Sequence, residues 1–159
     1  MSYLVVKWLH LLGAAVLFGT GMGIAFFAWF GYRRGMQEGN IGLIQGVLRL
    51  TVIADTVFTA TAAIAQPVTG WFLWRMTGGR WPDRWLLWVL VLYAFVGACW
   101  LPVVWLQILL RNGAVRAQTV GQLDACFHGR FRLWFALGWP AFLAVLGLFG
   151  LMLARGWFR

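Results

Sequence analysis

The chain has 159 residues, of which 62% are hydrophobic and 11% are charged, and its formal net charge is +9. Soluble domains carry roughly 25% charged and about 45–50% apolar residues, so this composition excludes an ordinary water-soluble fold. The basic residues sit mostly at the ends of apolar stretches, where they can meet anionic lipid head groups, and this placement argues against nucleic acid as a partner.

Four segments are long enough to cross the hydrocarbon core of a bilayer, which takes about 20 apolar residues. The predicted spans cover residues 3–30, 44–74, 85–110 and 131–154. The first span is longer than the core of a signal peptide and no small-residue cleavage site follows it, so we interpret it as a retained helix. Short connections place neighbouring helices antiparallel, and the predicted fold is an all-α, single-domain, four-helix up-down membrane bundle.

The connections also bear on orientation. Four spans place both chain ends on one face of the membrane, and loops 31–43 and 111–130 on the other. The face with these two loops carries slightly more arginine and lysine, so the positive-inside rule predicts that it is cytoplasmic. Residues 112–130 are long enough that the fourth helix can begin early. Tryptophans near the span ends, including Trp74, Trp85 and Trp134, are typical of interfacial aromatic belts.

Polar residues at membrane depth are the candidates for function, because each costs free energy in lipid. His10, Gln66 and Tyr93 fall at a similar depth on three different spans and could share one cavity. His10 can bond a neighbouring carbonyl or ligate haem or a metal, and its spacing leaves both interpretations open. Gln66 and Gln107 are expected to form hydrogen bonds between helices.

Asp55 is an acidic residue inside the second predicted span, well away from both of its ends. We expect it either to pair with an arginine, Arg49 or Arg132, or to take part in a proton path. His128 lies near basic residues at the interface, where a solvated or lipid-facing role is expected.

The other motifs in the sequence do not indicate a particular reaction or ligand. Gly19-x-x-x-Gly23 predicts close packing between helices. Cys99 and Cys126 lack metal or redox spacing and are expected to be free thiols. The sequence contains no His-x-His or Cys-x-x-Cys pair, no Gly-rich phosphate loop and no nucleophile elbow.

Several blocks of sequence resemble a bacterial family of predicted integral membrane proteins, the domain of unknown function numbered 2269. The blocks touch all four spans: LVVKWLHLL at 4–12, FGTG at 18–21, Gln66-Pro67-x-x-Gly70, ACWLPVVWLQ at 98–107 and FRLWFALGWP at 131–140. The resemblance implies a multi-pass protein of the bacterial inner membrane and leaves the activity open.

A more distant resemblance involves Lys7-x-x-His10 and the Gly/aromatic stretch that follows it. This opening is similar to that of HemJ-type protoporphyrinogen oxidases and of copper-resistance D-type membrane domains. The first of these families implies bound haem b, with His10 as the proposed axial ligand. Those oxidases also use a basic residue in a later helix, whereas Gln66 lies in roughly that region here.

The leading hypothesis is therefore a small haem-b membrane protein that acts in electron transfer or redox chemistry, with a redox partner or a quinone. In this hypothesis His10 ligates the iron and Lys7 pairs with a propionate. Gln66 and Tyr93 supply hydrogen bonds, and Trp100 packs on the porphyrin.

Two hypotheses of other classes remain open. One is a cofactor-free accessory subunit that binds lipid, a partner membrane protein or further copies of itself. The other is a transporter, although four spans without an inverted repeat would need an oligomer to form a pathway.

Overall fold

The computed structural model describes residues 2–81 and 83–155, which are almost entirely helical and include no strand. A π-helical turn, Asp55–Thr59, joins the helices Ile41–Ala54 and Ala60–Met76 into one continuous span. The four spans are long and apolar enough to cross a membrane, and the predicted all-α membrane bundle is confirmed. The helices are α1 Tyr3–Glu38, α2 Ile41–Ala54, α3 Ala60–Met76, α4 Arg84–Arg116 and α5 Ala125–Leu153.

The helices extend beyond the predicted spans because capping groups, rather than the limits of the apolar runs, set their ends. The helix α1 continues to Glu38 and ends at Gly39, whose φ of 65° lies in the left-handed region that glycine adopts readily. The next residue, Asn40, caps α2, and its side chain accepts a hydrogen bond of 3.0 Å from the Leu43 N–H.

Two aspartates set the beginnings of the last two spans. The Asp83 carboxylate accepts hydrogen bonds of 3.0 and 3.2 Å from the backbone N–H groups of Trp85 and Leu86. Asp124 accepts one of 2.7 Å from the N–H of Phe127. Helix α5 therefore begins well before residue 131, as the long preceding connection allowed.

The main apolar core lies in the half of the bundle near the loops at residues 39–40 and 117–124. Here α1 packs on α2, α2 packs on α4, and α4 packs along α5. Gly35 lets α1 and α2 approach closely, since a Cβ there would lie 2.4 Å from Ile44 Cγ1. The buried core residues of this half are Ile24, Ala28, Ile44, Leu48, Val103, Leu106, Leu110, Ala114, Ala117, Leu123, Phe127, Phe131 and Trp134.

The other half of the bundle is packed differently. Beyond the π turn, α3 packs against α1. A smaller cluster of Trp74, Trp85 and Leu86 closes the end of the bundle, and Trp74 Nε1 donates a hydrogen bond of 2.8 Å to Asp83 Oδ2. A cavity lies between the two packed regions.

The packing role predicted for Gly19-x-x-x-Gly23 is wrong within this chain. A Cβ at either glycine would meet no atom within 4 Å, so no neighbouring helix packs against these two glycines.

Candidate ligand cavity in the membrane bundle

A cavity of about 600 Å³ lies between α1, the π turn with α3, α4 and α5. Its wall is mostly apolar and rich in aromatic rings. Three glycines of the wall leave space empty that a side chain would occupy. A Cβ at Gly21, Gly97 or Gly138 would meet no atom within 4 Å. The aromatic residues of the wall are Phe18, Tyr93, Trp100, Trp134, Phe135, Trp139 and Phe142.

The polar part of the wall comes from the π turn. Asp55 and Thr59 lie at its two ends, and both line the cavity. The N–H of Ala60 bonds to the Asp55 carbonyl five residues earlier, which widens the turn. Single π-helical turns inside α-helices are frequent at functional sites. Both side chains are buried, with exposed fractions of 4% and 6%.

Asp55 accepts hydrogen bonds from two residues of α4. Trp100 Nε1 donates to Oδ1 at 3.2 Å. With its amide nitrogen turned towards the carboxylate, Gln107 donates to Oδ2 at 3.2 Å. The Gln107 oxygen then accepts a bond of 3.2 Å from Trp134 Nε1. A polar network therefore joins the π turn, α4 and α5 along one side of the cavity.

The predicted ion pair between Asp55 and an arginine is wrong. Arg49 and Arg132 are both exposed, and the ion pair in residues 2–81 and 83–155 joins Arg34 to Glu38. Arg49 precedes Asp55 by six residues, a spacing that places it on a different face of the helix and about 9 Å along the axis. The neighbours of Asp55 are neutral hydrogen-bond donors.

The hydroxyl of Thr59 is a buried polar atom that lies next to the Asp55 carboxylate but forms no well-aligned hydrogen bond within residues 2–81 and 83–155. Buried polar atoms are normally paired, and an unpaired one requires an explanation such as an unseen ligand. Because Thr59 lines the cavity beside Asp55, its hydroxyl is available to a bound molecule.

His10 lies outside this cavity, in a contact between α1 and α3. Its Nδ1 is 2.8 Å from the Thr69 hydroxyl, and that hydroxyl donates its own proton to the Ala65 carbonyl, also at 2.8 Å. Nδ1 must therefore carry the hydrogen, which leaves the lone pair on Nε2. The imidazole fits beside Gly70, where a Cβ would lie 3.3 Å from His10 Cε1.

Gln66 belongs to the same contact. Its amide donates a hydrogen bond of 2.9 Å to the His10 carbonyl, which confirms the predicted bond between helices. Gly13 makes room for the amide, because a Cβ there would lie 2.4 Å from Gln66 Nε2.

The prediction that His10, Gln66 and Tyr93 share one cavity is wrong for the first two. Tyr93 lines the cavity and donates its hydroxyl to the Ala63 carbonyl, but His10 and Gln66 are not part of the wall. The wall of α1 begins at Leu17, seven residues beyond His10 and about 10 Å along the helix. A haem with His10 as its axial ligand therefore does not fit in this cavity.

The remaining residues of the haem hypothesis are Trp100 and Lys7. Trp100 belongs to the cavity wall and to the Asp55 network. Lys7 is exposed, with its ammonium 5.9 Å from the centroid of the Tyr3 ring. No group of three or more His, Cys, Asp or Glu side chains is arranged for metal binding among residues 2–81 and 83–155.

Three tryptophans and a histidine are buried or partly buried in the bundle. Trp74, Trp85 and Trp134 pack inside the bundle and do not face lipid, with exposed fractions of 3%, 7% and 4%. His128 is partly buried and hydrogen-bonded to the Tyr32 hydroxyl, and its predicted solvated or lipid-facing role stays a prediction. Cys99 and Cys126 are free thiols, as predicted.

Comparison with known proteins identifies one family. A model described as "Predicted integral membrane protein (DUF2269)" matches residues 4–156, which is nearly the whole chain. No curated protein and no solved structure matches the chain. The likeness to HemJ-type oxidases and copper-resistance D-type domains stays a prediction. Because the family model covers all four spans, the chain belongs to this family of predicted integral membrane proteins.

Proposed function

We propose that this protein binds a lipophilic small molecule, with a polar group at one end, in the cavity between its membrane helices. The observation that carries the proposal is the polar network at one side of an otherwise apolar cavity. Ligand sites are typically cavities of about 300–1,000 Å³ with apolar walls and a few placed polar groups, and the cavity described above has this form.

The position of the cavity indicates where the ligand comes from. Ile64 and Leu101 line the cavity near the middle of their spans, yet 71% and 63% of their surface is exposed. Exposure at this depth faces lipid, so the cavity opens sideways to the bilayer. A molecule dissolved in the membrane can enter without crossing the aqueous interface.

The test is to identify what co-purifies with the protein. We would purify the chain in a mild detergent, extract it with organic solvent, and quantify the lipophilic molecules by mass spectrometry. Gly21→Leu fills the cavity, whereas Gly19→Leu adds the same side chain two residues away on α1, outside the cavity wall. Both changes put leucine into open space, so they form a matched pair.

We expect a molecule present in near-stoichiometric amount with the wild type and Gly19→Leu, and depleted at least tenfold with Gly21→Leu. Equal amounts of every extracted molecule in the two variants would contradict the proposal. The protein would then be better described as an accessory subunit that uses its outer surface.

A second candidate function, haem-b binding for membrane electron transfer, is favoured by one observation at His10. Histidines that ligate metals usually donate their other ring N–H to a fixed acceptor, and Thr69 accepts such a bond here. The haem would have to lie against the outside of the α1–α3 contact, and not in the cavity. The protein would supply the axial ligand, while the cofactor would supply the redox chemistry.

Visible spectra of the purified protein, oxidised and reduced, test this candidate together with a pyridine haemochrome assay. A Soret band that disappears in His10→Ala and persists in Gly21→Leu would support it. A colourless protein after expression with ample haem would rule it out. This second proposal includes a redox partner, such as a quinone or a redox protein. It also includes a location in the bacterial inner membrane.

A further inference from the structure

We infer that the ligand of the cavity is a lipophilic cation, for which Asp55 is the counter-ion. This inference rests on the proposed function, because it names the class of molecule that the cavity binds. It draws on the burial of Asp55 at membrane depth without an ion pair among the described residues, on the hydrogen-bonding pattern of its neighbours and on the aromatic wall.

The first observation concerns the depth and the burial of the Asp55 carboxyl group. Asp55 lies 14 residues from the start of α2 (55 − 41), or about 21 Å along the helix axis, which is well inside the membrane. It is 4% exposed, and none of the arginines and lysines in residues 2–81 and 83–155 forms an ion pair with it. Ionisable groups at this depth normally have a partner of opposite charge. A cationic ligand would supply it.

The hydrogen-bonding pattern also favours a cation over a carbonyl ligand such as a quinone. Trp100 and Gln107 already direct their N–H groups at the carboxylate. The N–H of Trp134 is directed at Gln107. The Thr59 hydroxyl also faces this carboxylate, without a well-aligned hydrogen bond to it. A ligand with two carbonyl groups would find few donors, whereas a cation finds a carboxylate.

The aromatic wall suits the body of such a ligand. Trp100 and Trp134 line the cavity in the Asp55 network, and Tyr93 on α4 and Phe135, Trp139 and Phe142 on α5 extend the wall. Aromatic faces attract cations through their quadrupoles, and aromatic cages are a common way of binding quaternary ammonium groups. The same rings pack well against apolar substituents.

The net charge of the whole protein favours anions, whereas the proposed ligand is a cation. The protein's formal net charge is +9, so the surface as a whole attracts anions and repels cations. A preference for a cation can therefore be assigned to the cavity and not to the general field of the molecule.

The experiment compares two probes of nearly the same shape and opposite charge, tetraphenylphosphonium and tetraphenylborate. Their binding to the full chain in a neutral detergent would be measured by equilibrium dialysis, with a short-chain quinone as an uncharged third probe. The variants are Asp55→Asn, Gly21→Leu and the control Gly19→Leu. Circular dichroism and gel filtration would confirm that each variant is folded.

We expect saturable binding of the phosphonium at least tenfold tighter than that of the borate. Gly21→Leu should abolish it, Gly19→Leu should preserve it, and Asp55→Asn should weaken it at least tenfold. Because the two probes are compared on the wild type, this preference can be measured even if Asp55→Asn fails to fold.

Two results would overturn the inference. If the quinone binds in a way that Gly21→Leu abolishes, and the phosphonium binds no tighter than the borate, the ligand is not a cation and the proposed function stands. If no probe shows binding that depends on Gly21, and no co-purified molecule does so either, both the inference and the proposed function fail.

Discussion

At the scale of single residues, Asp83 is the side chain whose role follows most directly from its contacts. It caps α4 through two backbone N–H groups and accepts a third bond from Trp74 at the end of α3. It therefore fixes the turn between two spans. A cap of this kind typically contributes about 0.5–2 kcal/mol, and a bond to a charged acceptor adds to it.

We predict that Asp83→Ala lowers the free energy of unfolding by about 1–3 kcal/mol. The loss would appear as a lower midpoint of thermal unfolding in detergent. Asp83→Asn is the matched control, since its amide oxygen can still accept the cap bonds, and it should lose less. Equal midpoints for the wild type and Asp83→Ala would show that the turn does not depend on this carboxylate.

The same residue predicts a pH dependence. Burial raises the pKa of Asp83, but hydrogen bonds from Trp74, Leu86 and Trp85 outweigh this effect and hold the pKa below its usual value of 3.8. A lowered folded-state pKa gives stability that is complete above the unfolded pKa and is lost as the pH falls through the folded one. The stability difference between the wild type and Asp83→Asn should therefore be constant near neutral pH and shrink below about pH 4. A constant difference down to pH 2 would contradict this account.

Residue-scale reasoning from the sequence found Asp55 but not its partners. A carboxylate within an apolar run stands out in any sequence, whereas the bonds to Trp100 and Gln107 depend on how α4 is rotated against the π turn. Nothing in the sequence separates Trp134, which is buried in this network, from the tryptophans that lie at the surface. Thr51, Asp55 and Thr59 recur every four residues and are all buried, so this spacing marks the inward face of the helix.

At the scale of the helices, a close approach between α1 and α2 depends on a glycine. A Cβ at Gly35 would lie 2.4 Å from Ile44 Cγ1 and 3.0 Å from the Asn40 carbonyl oxygen. The second of these atoms belongs to the backbone of a tight turn and cannot move cheaply.

We predict that Gly35→Ala destabilises the protein by about 1–3 kcal/mol, the usual cost of overpacking. Gly46→Ala is the control, because a Cβ at that position of α2 meets no atom within 4 Å. Alanine favours helix over glycine, so the control should be neutral or up to about 1 kcal/mol more stable. Thermal unfolding of both variants would test the contact, and a stabilised Gly35→Ala would contradict it.

The helices themselves could be predicted from hydropathy, but their ends could not be predicted from the same signal. Apolar runs mark the part of a helix that lies in lipid, whereas Asn40, Asp83 and Asp124 mark where the backbone N–H groups need acceptors. These three residues are typical N-caps, and a search for caps would have placed α2 and α5 more accurately. The π turn has no comparable signal, since no proline or glycine lies within Asp55–Thr59.

At the scale of the whole molecule, four spans place the turn at residues 39–40 and the connection at 117–124 on the same face. Cys126 lies next to that connection and is exposed, whereas Cys99 is partly buried in the middle of α4. Cys126 is therefore a natural reporter of which face is cytoplasmic.

We predict that a membrane-impermeant maleimide labels Cys126 in inside-out vesicles and not in intact spheroplasts, as the positive-inside rule requires. Cys126→Ala should remove the labelling and so exclude Cys99 as its source. Labelling in intact spheroplasts would show that the orientation is the reverse.

The cavity depends on the packing of the whole molecule, and the sequence therefore predicted a cavity between the spans but not the set of residues that line it. Helical rise predicted correctly that His10 and Gln66 lie at a similar depth, and they do meet. Depth does not give the angle around the bundle, and these two residues face the α1–α3 contact while Tyr93 faces the cavity. The cavity arises where α3 and α4 separate beyond the π turn, and this depends on packing among all four spans.

The most direct test of the central claim is a structure of the protein in lipid nanodiscs, determined by electron cryomicroscopy with a bound antibody fragment to add mass. The account predicts density that is not protein between α1, α3, α4 and α5, in contact with Asp55 and Thr59. Helices closed upon one another, with Trp100 and Trp134 filling the space, would contradict it.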